Sequence, residues 1–403
     1  MLGVWIGFIF GGQAMSLKET RAISAEEHAL EMRDYIQQGE EQAHSLENRG
    51  PLRLSAEGGL HADILDAYWE IGFYVFEGVI GPGELAELRT DVEDALSRAP
   101  VTPSSNIDAE GNPALGSEFD EPSFDFARPL SDPFGGTDIL RGRHEVKLLE
   151  PSPAADAPDQ SVVFIRGTLR LMESCLRLYG HPELLAVAEA VNGPDFTPFT
   201  DGIFVKEPGL GAAVSWHQDG STHWGSPALH DGSHGFNFMA QLYKSTGGNG
   251  VWVIPGTHKL GQVDIKDLVA RSGSERIERA VPLVCGPGDV IICNRQLVHG
   301  SFANTSPDRR ISVGFGFLPR SSVVNVTAVR HSGDVDEEQT YDEDRICERS
   351  RMIAVAIDAR QQRYPHENRY RYQPMVGGEQ DNVWNEATRK SVVEKYPLLD
   401  LTI

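Results

Sequence analysis

A histidine and an aspartate, His217 and Asp219, are separated by one residue in a stretch with a strand-like pattern. Side chains two positions apart on a strand point to the same face, so the pair could bind one metal ion. The spacing alone proves little, because the 13 histidines and 59 acidic residues would give about two His-x-acid triplets by chance. The chain has three, and the other two begin at His61 and His181. The surrounding motifs therefore have to separate a ligand pair from coincidence.

A third candidate ligand, His299, stands near the end of the apolar run 296–301. A neighbouring strand could bring this histidine to His217 and Asp219. Two histidines and one carboxylate on one face of an iron(II) ion leave the opposite face open for a bidentate cosubstrate and O2. The three residues therefore predict an iron site.

Two adjacent arginines, Arg309 and Arg310, begin the next strand-like run. A guanidinium can bind the distal carboxylate of a 2-oxo acid through two parallel hydrogen bonds. Alternation along the strand favours Arg310, because its face carries small residues that would leave room for a ligand, whereas the face of Arg309 is bulky and apolar. The small residues are Ser312, Gly314 and Gly316.

Eight short strand-like runs separated by glycine-rich turns surround these candidate residues and predict a jelly-roll sandwich or small barrel. Helical patterns flank this β region on both sides. The expected fold is therefore mainly β with flanking helices. The strand-like runs are 196–206, 212–219, 236–244, 250–254, 280–283, 289–293, 296–302 and 310–318, and the helical runs are 24–48, 82–99, 161–179, 182–192 and 343–363.

The chain is expected to form one domain over residues 24–403, with a β core at about 195–320 and helical additions at 24–192 and 338–403. Residues 1–23 are expected to be an N-terminal extension, with Met15 as an alternative start. The segment 100–159 is rich in Pro, Asp, Gly and Ser and is too long for a simple connection. It predicts a lid over the site, in which Arg141, Arg143 and Lys147 could contact the substrate, with a solvated excursion as the alternative.

Composition narrows the classes of partner. The net charge of −23 argues against a nucleic-acid partner, because phosphate binding needs clustered Lys and Arg. The same charge mildly favours a cationic or neutral small-molecule substrate. The four cysteines show no paired spacing, which indicates reduced thiols and a cytoplasmic protein, and no run is long and apolar enough to predict a membrane span.

The order of the motifs resembles the phytanoyl-CoA dioxygenase family of iron(II) and 2-oxoglutarate dependent oxygenases. The resemblance extends over roughly residues 65–320. It implies a double-stranded β-helix core with iron(II), 2-oxoglutarate and O2 as cofactor and cosubstrates. The motifs are His217-Gln-Asp219, Gly-Asn-Gly-Val-Trp-Val-Ile-Pro-Gly-Thr-His-Lys at 248–259, Gly-Asp-Val-Ile-Ile at 288–292, Val-His-Gly-Ser at 298–301 and Arg310.

The resemblance also assigns roles to individual residues. It implies that His217, Asp219 and His299 bind iron and that Arg310 anchors the 2-oxoglutarate carboxylate. Ser301 would assist that anchor, and Lys206 would contact the cosubstrate. Because Asp219 is present where related halogenases open the coordination position for chloride, the resemblance implies hydroxylation. Desaturation, cyclisation or epoxidation with the same cofactors stays open, as does a non-oxidative metal-binding jelly-roll protein.

Overall fold

The computed structural model describes residues 23–220, 234–332 and 335–397, so the expected N-terminal extension lies outside the described residues except for Ile23. Two sheets and a separate hairpin contain the described strands, and every pairing is antiparallel except that of β1 with β2. In chain order the strands are β1 (Arg49–Gly50), β2 (Phe73–Phe76), β3 (Phe124–Ala127), β4 (Ser161–Arg166), β5 (Phe196–Lys206), β6 (Val214–His217), β7 (Phe236–Gln241), β8 (Trp252–Val253), β9 (Val281–Pro282), β10 (Val290–Asn294), β11 (His299–Ser301), β12 (Arg310–Pro319), β13 (Thr327–Ser332) and β14 (Val335–Thr340).

Helices occur before, between and after these strands, and none in the described ranges is long and apolar enough to cross a membrane. All four cysteines are free. The helices are α1 (Ala25–His44), α2 (Ala62–Ile71), α3 (Pro82–Ser97), α4 (Thr168–Leu171), α5 (Glu173–Tyr179), α6 (Pro182–Asn192), α7 (Ile265–Ser272), α8 (Arg320–Val323), α9 (Glu343–Arg363) and α10 (Glu386–Thr388).

The strands β5 to β12 form a double-stranded β-helix. The large sheet has the order β1-β2-β10-β7-β12-β5-β4-β3, and the small sheet has the order β6-β11-β8-β9. Successive core strands therefore cross between the sheets, except that β8 and β9 are neighbours in the small sheet. All pairings among β5 to β12 are antiparallel. Side chains from both sheets, including Met239 and Val253, share one apolar cluster. The predicted jelly-roll fold is confirmed, with each of its eight strands present within the predicted run or one residue beyond it.

Alternation along β12 gives the large sheet an apolar outer face and a polar inner face. Ile311, Val313, Phe315 and Phe317 are buried in one cluster with residues of helices α5, α6 and α9. The intervening side chains, beginning with Arg310, consequently point towards the small sheet. The helices thus fix which side of β12 can contribute to a site.

Helix α1 covers the outer face of the small sheet. Its first turn is fixed by a capping box, in which Ser24 and Glu27 exchange side-chain and backbone hydrogen bonds. The ring of Tyr35 stacks on Trp252 of β8 at a centroid distance of 4.4 Å. Because Trp216 of β6 belongs to the same cluster, its neighbour His217 has to point to the inside of the sandwich.

One predicted helix is wrong at its start. Residues 161–166 form strand β4 rather than the first turns of a helix, and β4 lies between β5 and the edge strand β3 of the large sheet. The run Val162-Val163-Phe164-Ile165 has high β propensity, because branched and aromatic side chains fit a pleated surface. The N-terminal addition is therefore a mixture of helices and of strands β1 to β4.

Gly180, at the end of α5, lets helix α9 approach closely. A Cβ at this position would lie 2.3 Å from the carbonyl oxygen of Ala356 and 2.7 Å from the amide nitrogen of Ile357. Gly180→Ala should therefore lower the free energy of unfolding by about 1–3 kcal/mol, measured by urea denaturation. Gly83→Ala in α3, where a Cβ meets nothing within 4 Å, is the matched control and should be neutral or slightly stabilising. Equal stability of Gly180→Ala and the wild type would contradict the close approach.

Candidate metal centre

Strand pairing brings the two candidate histidines together. His217 ends β6, and His299 begins β11 directly opposite it. Asp219 follows beyond the end of β6 rather than on the strand, and its backbone N–H donates to the carbonyl oxygen of Arg295 at 2.8 Å. A turn, and not the period of two, therefore brings the carboxylate to the histidines.

The three side chains offer one ligand atom each within a small volume. These atoms all lie within 4.8 Å of one another. Nε2 of His217 is 3.7 Å from Oδ1 of Asp219, and Nε2 of His299 is 3.9 Å from Oδ2. Such separations suit three ligands of one divalent ion, whose bonds to nitrogen and oxygen are about 2.0–2.2 Å long.

Backbone contacts orient both imidazole rings for metal binding. Nδ1 of His217 lies 2.8 Å from the carbonyl oxygen of Ser215, and Nδ1 of His299 lies 2.9 Å from that of Leu297. A carbonyl oxygen only accepts hydrogen bonds, so Nδ1 carries the proton in each ring. The lone pair of Nε2 therefore faces the other ligands, as in most protein metal sites.

Electrostatics give His217 and Asp219 the protonation states that a metal ion needs. Burial, together with the charges of His299, His144 and Arg143, holds the pKa of His217 well below its usual range. Burial alone would raise the pKa of Asp219, but nearby cationic groups, led by His299, outweigh it and the pKa is lowered. A neutral imidazole and an ionised carboxylate are the forms that bind divalent metals, so the residues present fit the ion.

Both oxygens of Asp219 accept hydrogen bonds from side chains outside the predicted triad. Nη1 of Arg143 donates to Oδ1 at 2.9 Å, and Nδ2 of Asn237 donates to Oδ2 at 2.9 Å. The ring of His144 stacks on His217 with a centroid distance of 4.2 Å and an interplanar angle of 19°. Arg143 and His144 belong to the expected lid, where no periodicity indicated which side chains face the site.

A second group of buried polar residues lies on β12, β5 and β11. Arg310 and Lys206 are paired across β12 and β5, and both are buried. Nε of Arg310 donates to Oγ of Ser312 at 3.0 Å. Nζ of Lys206 donates to Oγ of Ser301 and, at 2.5 Å, to the carbonyl oxygen of Phe302. Ser301 therefore contacts Lys206, the residue that the resemblance places beside the cosubstrate.

The two cations form a site suited to an anion. No ion pair joins Arg310 or Lys206 to a carboxylate in the described parts of the chain. Burial and the charge of Arg310 hold the pKa of Lys206 well below its usual range, and burial lowers the pKa of Arg310 to about 10. Both shifts show that charge is costly here, so a bound carboxylate would stabilise both groups.

The expected free space beside Arg310 is smaller than its small neighbours suggested. Ser312 is fully buried and donates to Oε1 of Gln241 at 2.7 Å, so it orients Arg310 and leaves little room. At Gly316, a Cβ would lie 2.5 Å from the carbonyl oxygen of Phe236. Room for a ligand on this face therefore lies beside Arg310 and at Gly314, where a Cβ would have no neighbour closer than 3.6 Å.

The other two His-x-acid triplets are structural, as predicted. The exposed His61 precedes helix α2 and contacts Asp63 in its first turn. His181 precedes α6, with Pro182 at the first helical position and Glu183 in the first turn. Neither pair belongs to a cluster of three possible metal ligands within the described residues.

Comparisons with known proteins agree with the motif order. The family model described as Phytanoyl-CoA dioxygenase (PhyH) matches residues 68–312, which is more than half of the chain. Phytanoyl-CoA dioxygenase 1 of Oryza sativa subsp. japonica is 33% identical over 113 residues, which cover 26% of this chain and 38% of that protein. The chain thus matches well under half the length of this curated relative.

Solved structures with a related fold include two enzymes. The non-heme alpha ketoglutarate dependent epimerase SnoN from nogalamycin biosynthesis is 17% identical, with a TM-score of 0.42, and the match covers 66% of this chain and 84% of that one. EctD from S. alaskensis with bound Fe is 19% identical, with a TM-score of 0.45, and the match covers 67% of this chain and 81% of that one.

The geometry predicts that His217 is a metal ligand and that His61 is not. His217→Ala should weaken binding of Mn²⁺, a redox-stable substitute for iron(II), by about 100-fold or more, because one of three ligands is lost. His61→Ala removes the histidine of a chance triplet and should leave the affinity unchanged. Titration monitored by the electron paramagnetic resonance signal of free Mn²⁺ measures both. Unchanged affinity in His217→Ala would exclude the site.

Proposed function

The chain belongs to the phytanoyl-CoA dioxygenase family, and from this membership we propose that it hydroxylates a small-molecule metabolite as an iron(II) and 2-oxoglutarate dependent dioxygenase. The observation that carries the proposal is the pairing of two sites in one sandwich. A triad of His217, Asp219 and His299 lies on the small-sheet side, and the buried cations Arg310 and Lys206 lie on the large-sheet side. A 2-oxo dicarboxylate needs both kinds of group.

In this proposal His217, Asp219 and His299 hold iron(II). The bound ion supplies the activation of O2 that couples decarboxylation of 2-oxoglutarate, to succinate and CO2, with oxidation of the substrate. The contacts of both histidines with backbone carbonyls keep each Nε2 directed at the ion. Asn237 and Arg143 hold the carboxylate of Asp219 in place, which fixes its orientation as a ligand.

The distal carboxylate of 2-oxoglutarate is assigned to Arg310 and Lys206. A guanidinium bonds a carboxylate through two parallel hydrogen bonds, and burial strengthens such bonds. Ser312 and Gln241 fix the guanidinium by a relay of hydrogen bonds, in which Arg310 donates to Ser312 and Ser312 donates to Gln241. Ser301 contributes to the same site by contact with Lys206.

We further propose that residues 24–403 act as one oxygenase domain. Strands β1 to β4 extend the large sheet, and helix α9 shares an apolar cluster with that sheet. The segment 100–159 is proposed to be a cover of the site, because Arg143 contacts Asp219 and His144 stacks on His217. A cover of this kind excludes water from the reacting centre.

Two other outcomes are compatible with the same ligand set. Desaturation, cyclisation or epoxidation would use the same cofactors and differ in how the substrate is held. A non-oxidative metal-binding jelly-roll protein would need the triad but not Arg310. The buried pair of Arg310 and Lys206, which no ion pair neutralises within the described residues, favours the oxygenase, because an anionic ligand would offset the cost of burying two cations.

The proposed reaction predicts that succinate formation depends on the triad. His217→Ala and Asp219→Ala should each reduce succinate formation from 2-oxoglutarate by at least about 100-fold. His61→Ala should keep wild-type turnover. Succinate is measured by mass spectrometry with iron(II), ascorbate and a panel of small metabolites, and analysis of the product distinguishes hydroxylation from desaturation. Undiminished succinate formation in both triad variants would refute the proposal.

The two adjacent arginines provide a matched test of cosubstrate binding. Arg310→Gln should weaken 2-oxoglutarate binding by about 2–5 kcal/mol, or about 30-fold or more, because a buried charged hydrogen-bond partner is lost. Arg309→Gln should have little effect, since Arg309 forms ion pairs with Glu93 and Glu207 on the outer side of the strand. Isothermal titration of the Mn²⁺-loaded proteins measures both constants. Equal affinities in the two variants would contradict the assignment of Arg310.

A further inference from the structure

Arg143 is a cation that the expected lid places against the triad. Its guanidinium is 2.9 Å from the carboxylate of Asp219, and the side chains of both residues are largely buried, at 13% and 15% exposure. Arg143 is 76 positions before Asp219 in the sequence, so only the fold of the 100–159 segment brings them together. Neither the metal triad nor the Arg310 and Lys206 site includes this group.

The position of Arg143 is fixed by the backbone around it. Two backbone hydrogen bonds join residues 130–131 to residues 210–213. The N–H of Leu130 donates to the carbonyl oxygen of Leu210, and the N–H of Ala213 donates to that of Ser131. The segment therefore runs alongside the residues that precede and begin β6. The adjacent His144 stacks on His217, with its Nδ1 3.0 Å from Oγ of Ser215. Arg143 is thus held beside the metal ligands by contacts on both sides of it in the sequence.

A metal ion at the triad changes what Arg143 interacts with. The carboxylate of Asp219 would then be shared between a divalent cation and the guanidinium, and the two cations repel each other in this buried place. An additional anion beside Arg143 would restore the balance of charge. Arg295, the other arginine near this carboxylate, is 1% exposed and lies 4.0 Å over the ring of Phe199, which directs it into the protein. Arg143 is therefore the cation placed to meet an incoming group.

We propose that Arg143 binds a carboxylate of the primary substrate and so makes the enzyme specific for carboxylic acids. The inference rests on the proposed function, because it assigns the substrate position next to the same metal centre. A guanidinium recognises a carboxylate by charge and by paired N–H donors. The local cation thereby outweighs the preference for cationic or neutral substrates that the net charge of −23 suggested.

The test uses Mn²⁺ in place of iron and propionate as the carboxylate probe, with 2-oxoglutarate saturating so that the Arg310 and Lys206 site is filled. Propionate should raise the Mn²⁺ affinity of the wild type about fivefold or more, because an anion beside Arg143 reduces its repulsion of the ion. Propionamide, which has the same shape without the charge, should have no effect. Free Mn²⁺ is measured by electron paramagnetic resonance.

Three variants assign the effect to Arg143. Arg143→Gln, which can still donate a hydrogen bond to Asp219 but carries no charge, should lose the response to propionate. Arg143→Lys should retain part of the response, because it keeps the charge. Arg128→Gln is the control, since Arg128 pairs with Glu150 in the same segment with a side chain that is 55% exposed, and it should behave as the wild type.

The results that would contradict the role of Arg143 differ from those that would contradict the proposed function. Absence of a propionate effect in the wild type, or an equal effect in Arg143→Gln, would overturn the inference. So would a tenfold or greater loss of 2-oxoglutarate affinity in Arg143→Gln, which would assign Arg143 to the cosubstrate. Absence of 2-oxoglutarate binding to the Mn²⁺-loaded wild type would instead refute the proposed function.

Discussion

Antiparallel pairing of β6 with β11 is the constraint on which the candidate centre depends. This register sets His217 opposite His299, and alternation directs both rings into the sandwich while Trp216 packs outside. A shift by one residue would turn the histidines to the outer face, beneath helix α1. The apolar cluster under α1 therefore protects the metal site, because burial of the tryptophan ring excludes the alternative register.

In the large sheet, the same alternation of side chains places buried cations inside the sandwich. Its outer face is covered by α5, α6 and α9, so the inward face of β12 has to accept Arg310. Lys206 occupies the paired position on β5. Two buried cations at one end of a sheet are unfavourable without an anion, and their pKa values are lowered as a result. The fold thus maintains an unfavourable charge arrangement that a dicarboxylate, bound as proposed, would relieve.

Sequence patterns predicted the parts of the molecule that depend on local periodicity. The eight core strands, the site of His299 and the choice of Arg310 over Arg309 all follow from alternation or motif order. The start of the 161–179 run was misassigned because its apolar residues suit a strand as well as a helix, and only pairing with β5 decides between them. The sequence indicates Arg143 only as one of three basic residues near the end of the 100–159 segment. Its contact with Asp219 could not be predicted, since that segment has no repeating pattern and the contact spans 76 positions.

The net charge of the chain and the charge inside the sandwich lead to different expectations about which ligands the protein binds. The acidic residues that produce the net charge of −23 are largely solvated or paired, whereas the interior of the sandwich carries Arg310, Lys206, Arg143 and Arg295. Surface charge is screened within about 8–10 Å at physiological ionic strength, but buried charge is not. A ligand entering the sandwich therefore experiences mainly these cations. Because alternation and loop anchoring select which side chains point inward, the fold sets the electrostatic character of the site independently of the average composition of the chain.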